Sequence, residues 1–325
     1  MTHSYEPLVS IVIPCYNAER WVSEAIESAL GQTYANIEVI VVDDGSSDGS
    51  LRVIKQFGGK INWISTPNSG PCAARNVGLR AAGGEWIQFL DADDLLHPDK
   101  LHLSLRICEN HPNVEFVWAP HLCVGEDFSL GGSAIGTSVL FDTQVTLSEN
   151  ALLAPYAPCA AMFRSKFLKQ VGDWNELLKR WVDLEYHARI AALMPTYARL
   201  SKPLYFYREH RGMRISNSNR DHSNIHAAIE SLSLTRAILE ASAISPRIWK
   251  SCLWPFYLQL ARSSALAGDK RMFMGLIQDA AVLRGGLQFK LKCYIAMVSA
   301  KLLGLKLSTA GIEHVLRFRN SRERN

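Results

Sequence analysis

The 325-residue chain is 48% hydrophobic and 20% charged, with a formal net charge of +4. That is the composition of a folded chain able to bury a core in one large domain or two smaller ones, and it excludes an unstructured polymer. Seven scattered cysteines, odd in number and without metal-ligand spacing, argue against a disulfide framework or a structural zinc site; they suit reduced thiols in a cytoplasmic setting.

The first residues lack a basic segment, and the apolar run behind them breaks at Pro14, so no export signal is expected. Val9-Ser10-Ile11-Val12-Ile13 is a short, largely apolar and β-branched run, which predicts a strand buried on both faces, with Pro14-Cys15-Tyr16-Asn17 as its exit loop. Asn17 is placed to cap a helix with the stripe Val22, Ala25, Ile26, Ala29 and Leu30, ending near Gly31. Ile37–Val42 is a second buried strand, and it ends in the acidic turn Asp43-Asp44-Gly45-Ser46-Ser47-Asp48. Ser46 or Ser47 can cap the next helix, through Phe57. A weaker strand at 61–64 precedes Asn68-Ser69-Gly70 and a helix over 72–82 that carries Arg75 and Asn76 near its positive end.

Glu85–Leu90 is the fourth strand, and it runs into Asp91-Ala92-Asp93-Asp94, three carboxylates among four residues. Such crowding is tolerable where the acids reach solvent, accept several hydrogen bonds or share a cation. Asp91 and Asp93 are two apart, on one face if strand geometry persists, a place to hold a metal-bound diphosphate. The competing reading makes Asp94 the start of a surface turn before the helix 98–110. Repeated strand–helix alternation predicts a mainly parallel sheet whose ligands sit at the carboxyl ends of its strands, where all these polar turns fall.

Further strands are expected at 114–118 and 160–163, a long Gly/Ser-rich loop over 125–138, and a helix at 165–171 closed by Gly172. Trp181–Arg189 reads as the start of a helix, in which Asp183 either acts as a base or merely favours the helix dipole. Leu204–His210 reads as a strand entering a polar segment where Arg208 and His210 could meet phosphate. Beyond residue 221 the texture changes to three to five Ala/Leu-rich helices, broken near Pro246, Gly268 and Gly285-Gly286, so the domain boundary is set at 220/221. Residues 284–325 hold nine Lys/Arg against two acids, and Leu291, Tyr294, Ile295, Val298 and Leu302 fall at helical spacing among lysines. That pattern suits either packing on protein or peripheral contact with an anionic membrane. No stretch reaches the roughly 18 apolar residues of a spanning helix, and no aromatic platform supports nucleic-acid binding.

Taken together and in order, Val9–Asn17, Val42–Ser46, Asn68-Ser69-Gly70 with Ala74–Gly78, and Phe89–Asp94 resemble the family 2 glycosyltransferases of the GT-A fold, over roughly residues 8–215. The resemblance implies an inverting, metal-dependent transfer of a sugar from a nucleotide-diphosphate donor, a UDP-sugar favoured. The acceptor would be a carbohydrate or lipid-linked glycan at the cytoplasmic face of a membrane. It gives Pro14, Tyr16, Asn17, Asp43, Asp44 and Arg75 to the nucleoside end of the donor. Asp93 becomes the direct ligand of Mn²⁺ or Mg²⁺, with Asp91 beside the ribose or the metal, and Arg208 and His210 near the diphosphate. Asp183 stands six residues before Arg189, at the family's base position, although Val182 replaces the usual Glu; Asp173 and Glu185 are the alternatives. A nucleotidyltransferase is disfavoured because Pro14–Asn17 lacks a glycine-rich phosphate loop. A non-catalytic donor-binding scaffold is the reading that Val182 keeps open.

Overall fold

The computed structural model describes residues 6–128, 146–148, 158–210 and 222–302. They form two compact units, one of residues up to Leu177 together with Leu193–Gly212, the other of Leu178–Ala192 together with the residues from Met213 onward.

The first unit is α/β. Its large sheet has the order β3-β2-β1-β4-β9-β6-β10-β8, with β1 Val9–Cys15, β2 Ile37–Asp43, β3 Asn62–Ser65, β4 Trp86–Phe89, β6 Phe116–Trp118, β8 Thr146–Ser148, β9 Ala161–Arg164 and β10 Tyr197–Arg199. The half made of β3, β2, β1 and β4 is parallel throughout, while β9 runs antiparallel between β4 and β6. Val9, Ser10, Ile11, Val12 and Ile13 are all fully buried, so both faces of the strand are covered and a mostly apolar run, rather than a strict apolar–polar alternation, encodes it. Helices α1 Val22–Leu30, α2 Ser50–Lys55, α3 Pro71–Ala81, α4 Lys100–Asn110 and α5 Ser165–Val171 alternate with these strands. A small second sheet joins β5 Leu95–Leu96, β11 Tyr205–Arg208 and β7 His121–Val124.

Strand β1 runs to Cys15, so Pro14 lies inside it rather than after it. The ladder to β4 stops at Val12↔Phe89, while the ladder to β2 continues to Cys15↔Asp43. Leu90 N–H donates to Val12 O and Asp44 N–H to Cys15 O. In a parallel ladder alternate residues bond to opposite neighbours, so Pro14 faces the side where β4 has ended and its missing N–H leaves no gap. Gly78 lets α3 lie close on β1, since a Cβ there would stand 2.3 Å from Val12 Cγ1.

The second unit is helical: α6 Val182–Ala192, α7 His222–Ala241, α8 Pro246–Leu266, α9 Lys270–Arg284 and α10 Leu287–Leu302. The breaks fall at the expected Pro246, Gly268 and Gly285-Gly286, the glycines all at positive φ. Residues 178–192, which a boundary at 220/221 leaves with the sheet, belong here: α6 packs on α7, and Ser231 Oγ donates to Arg180 O. The four strands not foreseen, β5, β7, β8 and β10, are two to four residues long, too short to show a period. The loop expected over 125–138 and Leu302's expected stripe position lie largely outside the described side chains.

Candidate donor site at the sheet edge

The sheet order reverses direction at β1, which has β2 on one side and β4 on the other, so the exits of all three strands share one edge. The loop after β1 carries Tyr16, 49% exposed, and Asn17 at φ 49°. Asn17 is not a helix cap. Helix α1 begins at Val22 with no side-chain cap, whereas Asn17 Oδ1 accepts from Ser47 N at 2.8 Å and Asn17 N donates to Ser46 Oγ at 3.0 Å. The residue therefore staples the β1 exit to the β2 exit, using the tolerance of Asn for the left-handed region. The two serines are thereby diverted from capping α2, which starts at Ser50 after Gly49.

Asp43 and Asp44 have different tasks. Asp44 Oδ1 accepts Ser69 N and its Oδ2 accepts Gly70 N, both at 2.8 Å, and Asn68 Nδ2 donates to its carbonyl. Asp44 thus builds the entry to α3. Gly45 is needed beside it: φ is 68°, and a Cβ would stand 2.6 Å from Asn68 N. Asp43 is 2% exposed; its Oδ2 accepts from Ser65 Oγ at 3.1 Å, while Oδ1 is buried with no hydrogen-bond partner. A buried carboxylate oxygen left unpaired costs free energy unless something else binds it.

The second acidic turn is sorted in the same manner. Asp94 is 1% exposed, accepts the Tyr205 hydroxyl, and takes Arg208 N at 2.8 Å. Burial, then the neighbouring charges of Asp93 and Asp91, pushes its carboxyl well above the usual range. Asp91 Oδ1 receives the Arg75 guanidinium at 2.8 Å, and that guanidinium lies over the Trp174 ring at 4.8 Å. Asp93 Oδ2 lies 3.0 Å from His210 Nε2, and His210 in turn stacks against Trp21 with centroids 5.3 Å apart.

The Arg208 guanidinium is 1% exposed and donates to Asp93 O, Glu126 O, Phe128 O and, at 2.6 Å, to Glu24 Oε2; it also lies over Trp21. Through Asp93 O it braces the acidic turn. The sequence reading missed Trp21, Glu24 and Trp174. It also missed the role of Asn76, which accepts Trp174 N at 2.8 Å and donates to Trp174 O and Glu176. A polar Asn inside an otherwise apolar helix face was the available signal.

The Asp93 carboxylate is the ligand type that Mn²⁺ and Mg²⁺ take, one or two such groups completing a shell of substrate phosphates and water. The described residues contain no cluster of three or more protein ligands.

The second unit carries Asp183, exposed in the first turn of α6. The preceding residue but one, Trp181, has φ 50°, a strained value for a bulky side chain and of the kind that gathers at functional sites. Glu185 is buried and grips Arg189 through both oxygens at 2.8 and 3.1 Å, and Asp173 pairs with Arg80 at 3.1 Å.

The sequence model described as Glycosyl transferase family 2 matches residues 10–172. An uncharacterised glycosyltransferase of Haemophilus influenzae is 30% identical over 231 residues, covering 69% of this chain and 75% of that protein. One of Rickettsia felis is 31% identical over 223 residues, 67% of this chain, but the chain spans only 37% of that relative. The Escherichia coli chondroitin synthase is 28% identical over 192 residues, 58% of the chain and 27% of that protein. Among solved structures, Staphylococcus aureus TarS 1–349 with UDP-GlcNAc superimposes with a TM-score of 0.67 at 19% identity, over 95% of this chain and 91% of that one. The Pyrobaculum calidifontis mannosyltransferase PcManGT with GDP-Man and Mn²⁺ gives 0.54 at 18% identity, over 96% and 86%.

Proposed function

The chain belongs to glycosyltransferase family 2, and from that premise we propose that it moves a sugar from a UDP-sugar to a hydroxyl of a carbohydrate or lipid-linked glycan, with inversion, at the cytoplasmic side of a membrane. The observation that carries the donor assignment is the edge formed by three strand exits. There Asp43 keeps an unpaired buried oxygen and Asp93 meets His210, 117 residues away in sequence. The nucleotide sugars bound to the structural neighbours TarS and PcManGT support the same class of donor.

In this reading Pro14 and the exposed Tyr16 line the nucleoside end, and Asp43 Oδ1 accepts an N–H or O–H of the base or ribose. Asn17 fixes the two loops that carry them. Arg75, held over Trp174, orients Asp91 toward the ribose or the metal. Asp93 and His210 hold Mn²⁺ or Mg²⁺, which when bound supplies positive charge against the diphosphate as it leaves. Asp183 takes the proton of the acceptor hydroxyl as its oxygen forms the new bond to the anomeric carbon. The exposure of Asp183 in the first turn of α6, against the burial of Glu185, supports that choice.

The test is turnover of a UDP-sugar panel, followed as UDP release with glycan acceptors. A general base contributes about 10² to 10⁴ in rate, so Asp183→Asn should lower kcat by that factor while UDP affinity stays within about twofold. Wild-type turnover in Asp183→Asn would remove it from the mechanism.

A further inference from the structure

Helix α10 has two apolar faces, and among the described residues only one of them is buried. Phe289, Cys293 and Ala296 are buried, with Phe289 edge-on to Trp254 at 5.3 Å and beneath the Arg284 guanidinium at 4.4 Å. On the other side Leu287, Leu291, Tyr294 and Ile295 are 85%, 55%, 61% and 55% exposed. Their spacing of i, i+4, i+7 and i+8 makes a single stripe along the helix. The helical projection places exposed Lys290 at one margin of that stripe and exposed Lys292 at the other. From residue 280 to 312 the sequence has five Lys/Arg and no Asp or Glu.

We propose that this face of α10 docks on the surface of an anionic lipid bilayer, the helix lying in the interface with its apolar stripe among the acyl chains and its lysines at the phosphates. The charge argument selects this occupant. A second copy of the chain would bring the same positive margin to the contact and be repelled, whereas lipid phosphate complements it. The stripe is long enough to lie on a bilayer and not to cross one, and no helix among the described residues is long and apolar enough to span. The inference goes beyond the donor reading and does not depend on it.

The experiment is co-sedimentation of the full-length chain with vesicles of phosphatidylcholine alone and of phosphatidylcholine mixed with phosphatidylglycerol. Wild type is expected on the anionic vesicles, weakened by added salt, and not on the neutral ones. Leu291→Glu combined with Ile295→Glu, and separately Lys290→Gln combined with Lys292→Gln, should each reduce partitioning at least about tenfold, with unchanged thermal unfolding. Should the glutamate pair disturb the helix, the glutamine pair, which leaves the apolar stripe intact, decides the question. No binding by wild type, equal binding to neutral vesicles, or undiminished binding in the variants would overturn the proposal. So would a wild-type dimer in gel filtration that the glutamate pair dissolves, since that makes a second copy the occupant.

Discussion

Two acidic turns leave the sheet on either side of β1, Asp43-Asp44 after β2 and Asp91-Ala92-Asp93-Asp94 after β4, and in each the last acid holds the fold together. Asp44 is bound by the N–H groups of Ser69 and Gly70, and Asp94 by the Tyr205 hydroxyl and the N–H of Arg208. The earlier acids are left at the edge: Asp43 with an unpaired oxygen, Asp91 against Arg75, Asp93 against His210. Adjacent carboxylates that look alike in sequence are thus separated by their partners. The turns also differ, because Asp44 rests on two backbone donors of a nearby loop and Asp94 on a hydroxyl and a backbone N–H of a strand more than a hundred residues away.

The strongest test of this division is Asp93→Ala. In the proposed mechanism Asp93 would hold the metal against the diphosphate, so its loss should lower kcat/KM on the order of 10³-fold with little change in Tm, read from UDP-release kinetics beside a thermal melt. Its neighbour should behave in the opposite sense. Asp94→Ala strands a buried hydroxyl and a buried N–H, so urea unfolding should show a loss of about 3 kcal/mol. If the two variants exchanged these phenotypes, the division within the second turn would be wrong.

The first turn gives a smaller effect. Asp43→Asn removes a buried carboxylate whose Oδ1 has no hydrogen-bond partner and offers an amide where a ligand donor needs an acceptor. UDP should bind about tenfold more weakly, while the melting temperature of the free protein is equal or higher. A lower melting temperature would class Asp43 with Asp44.

A buried charge outside both turns supplies the smallest effect and a control. Lys100 is 0% exposed and donates to Ala160 O, and burial pushes its ammonium down to about 7. The unfolded chain keeps this proton to about pH 10. Between about pH 7 and 10 the unfolded state therefore binds more protons than the folded one, and stability contributed through Lys100 rises with pH. Below that window the cost of the buried charge is present in full. Urea unfolding at pH 7 and pH 9 should show this rise in wild type and its absence in Lys100→Met.

Much of this architecture was legible because buried parallel strands announce themselves: Val9–Ile13 and Ile37–Val42 are β-branched, mostly apolar runs, each with a single polar residue (Ser10, Glu38), ending in polar loops. The positions of the acids followed from the strand ends. Their partners did not, because Tyr205, Arg208 and His210 reach the second turn through tertiary contacts with no local signature. Arg208 beside a polar loop reads as a phosphate ligand, and nothing local announces Glu24 and the three carbonyls around it. Asn17 carries the signal of a helix cap, yet its side chain is taken by the backbone of the neighbouring turn.

The account rests on Asp43 and Asp93 serving opposite ends of one nucleotide donor, and calorimetric titration of UDP with and without Mn²⁺ tests that most directly. Wild type and Asp43→Asn should both gain at least about tenfold in UDP affinity from Mn²⁺, while Asp93→Ala gains nothing. A Mn²⁺ effect that survives in Asp93→Ala, or one that vanishes in Asp43→Asn, would contradict it.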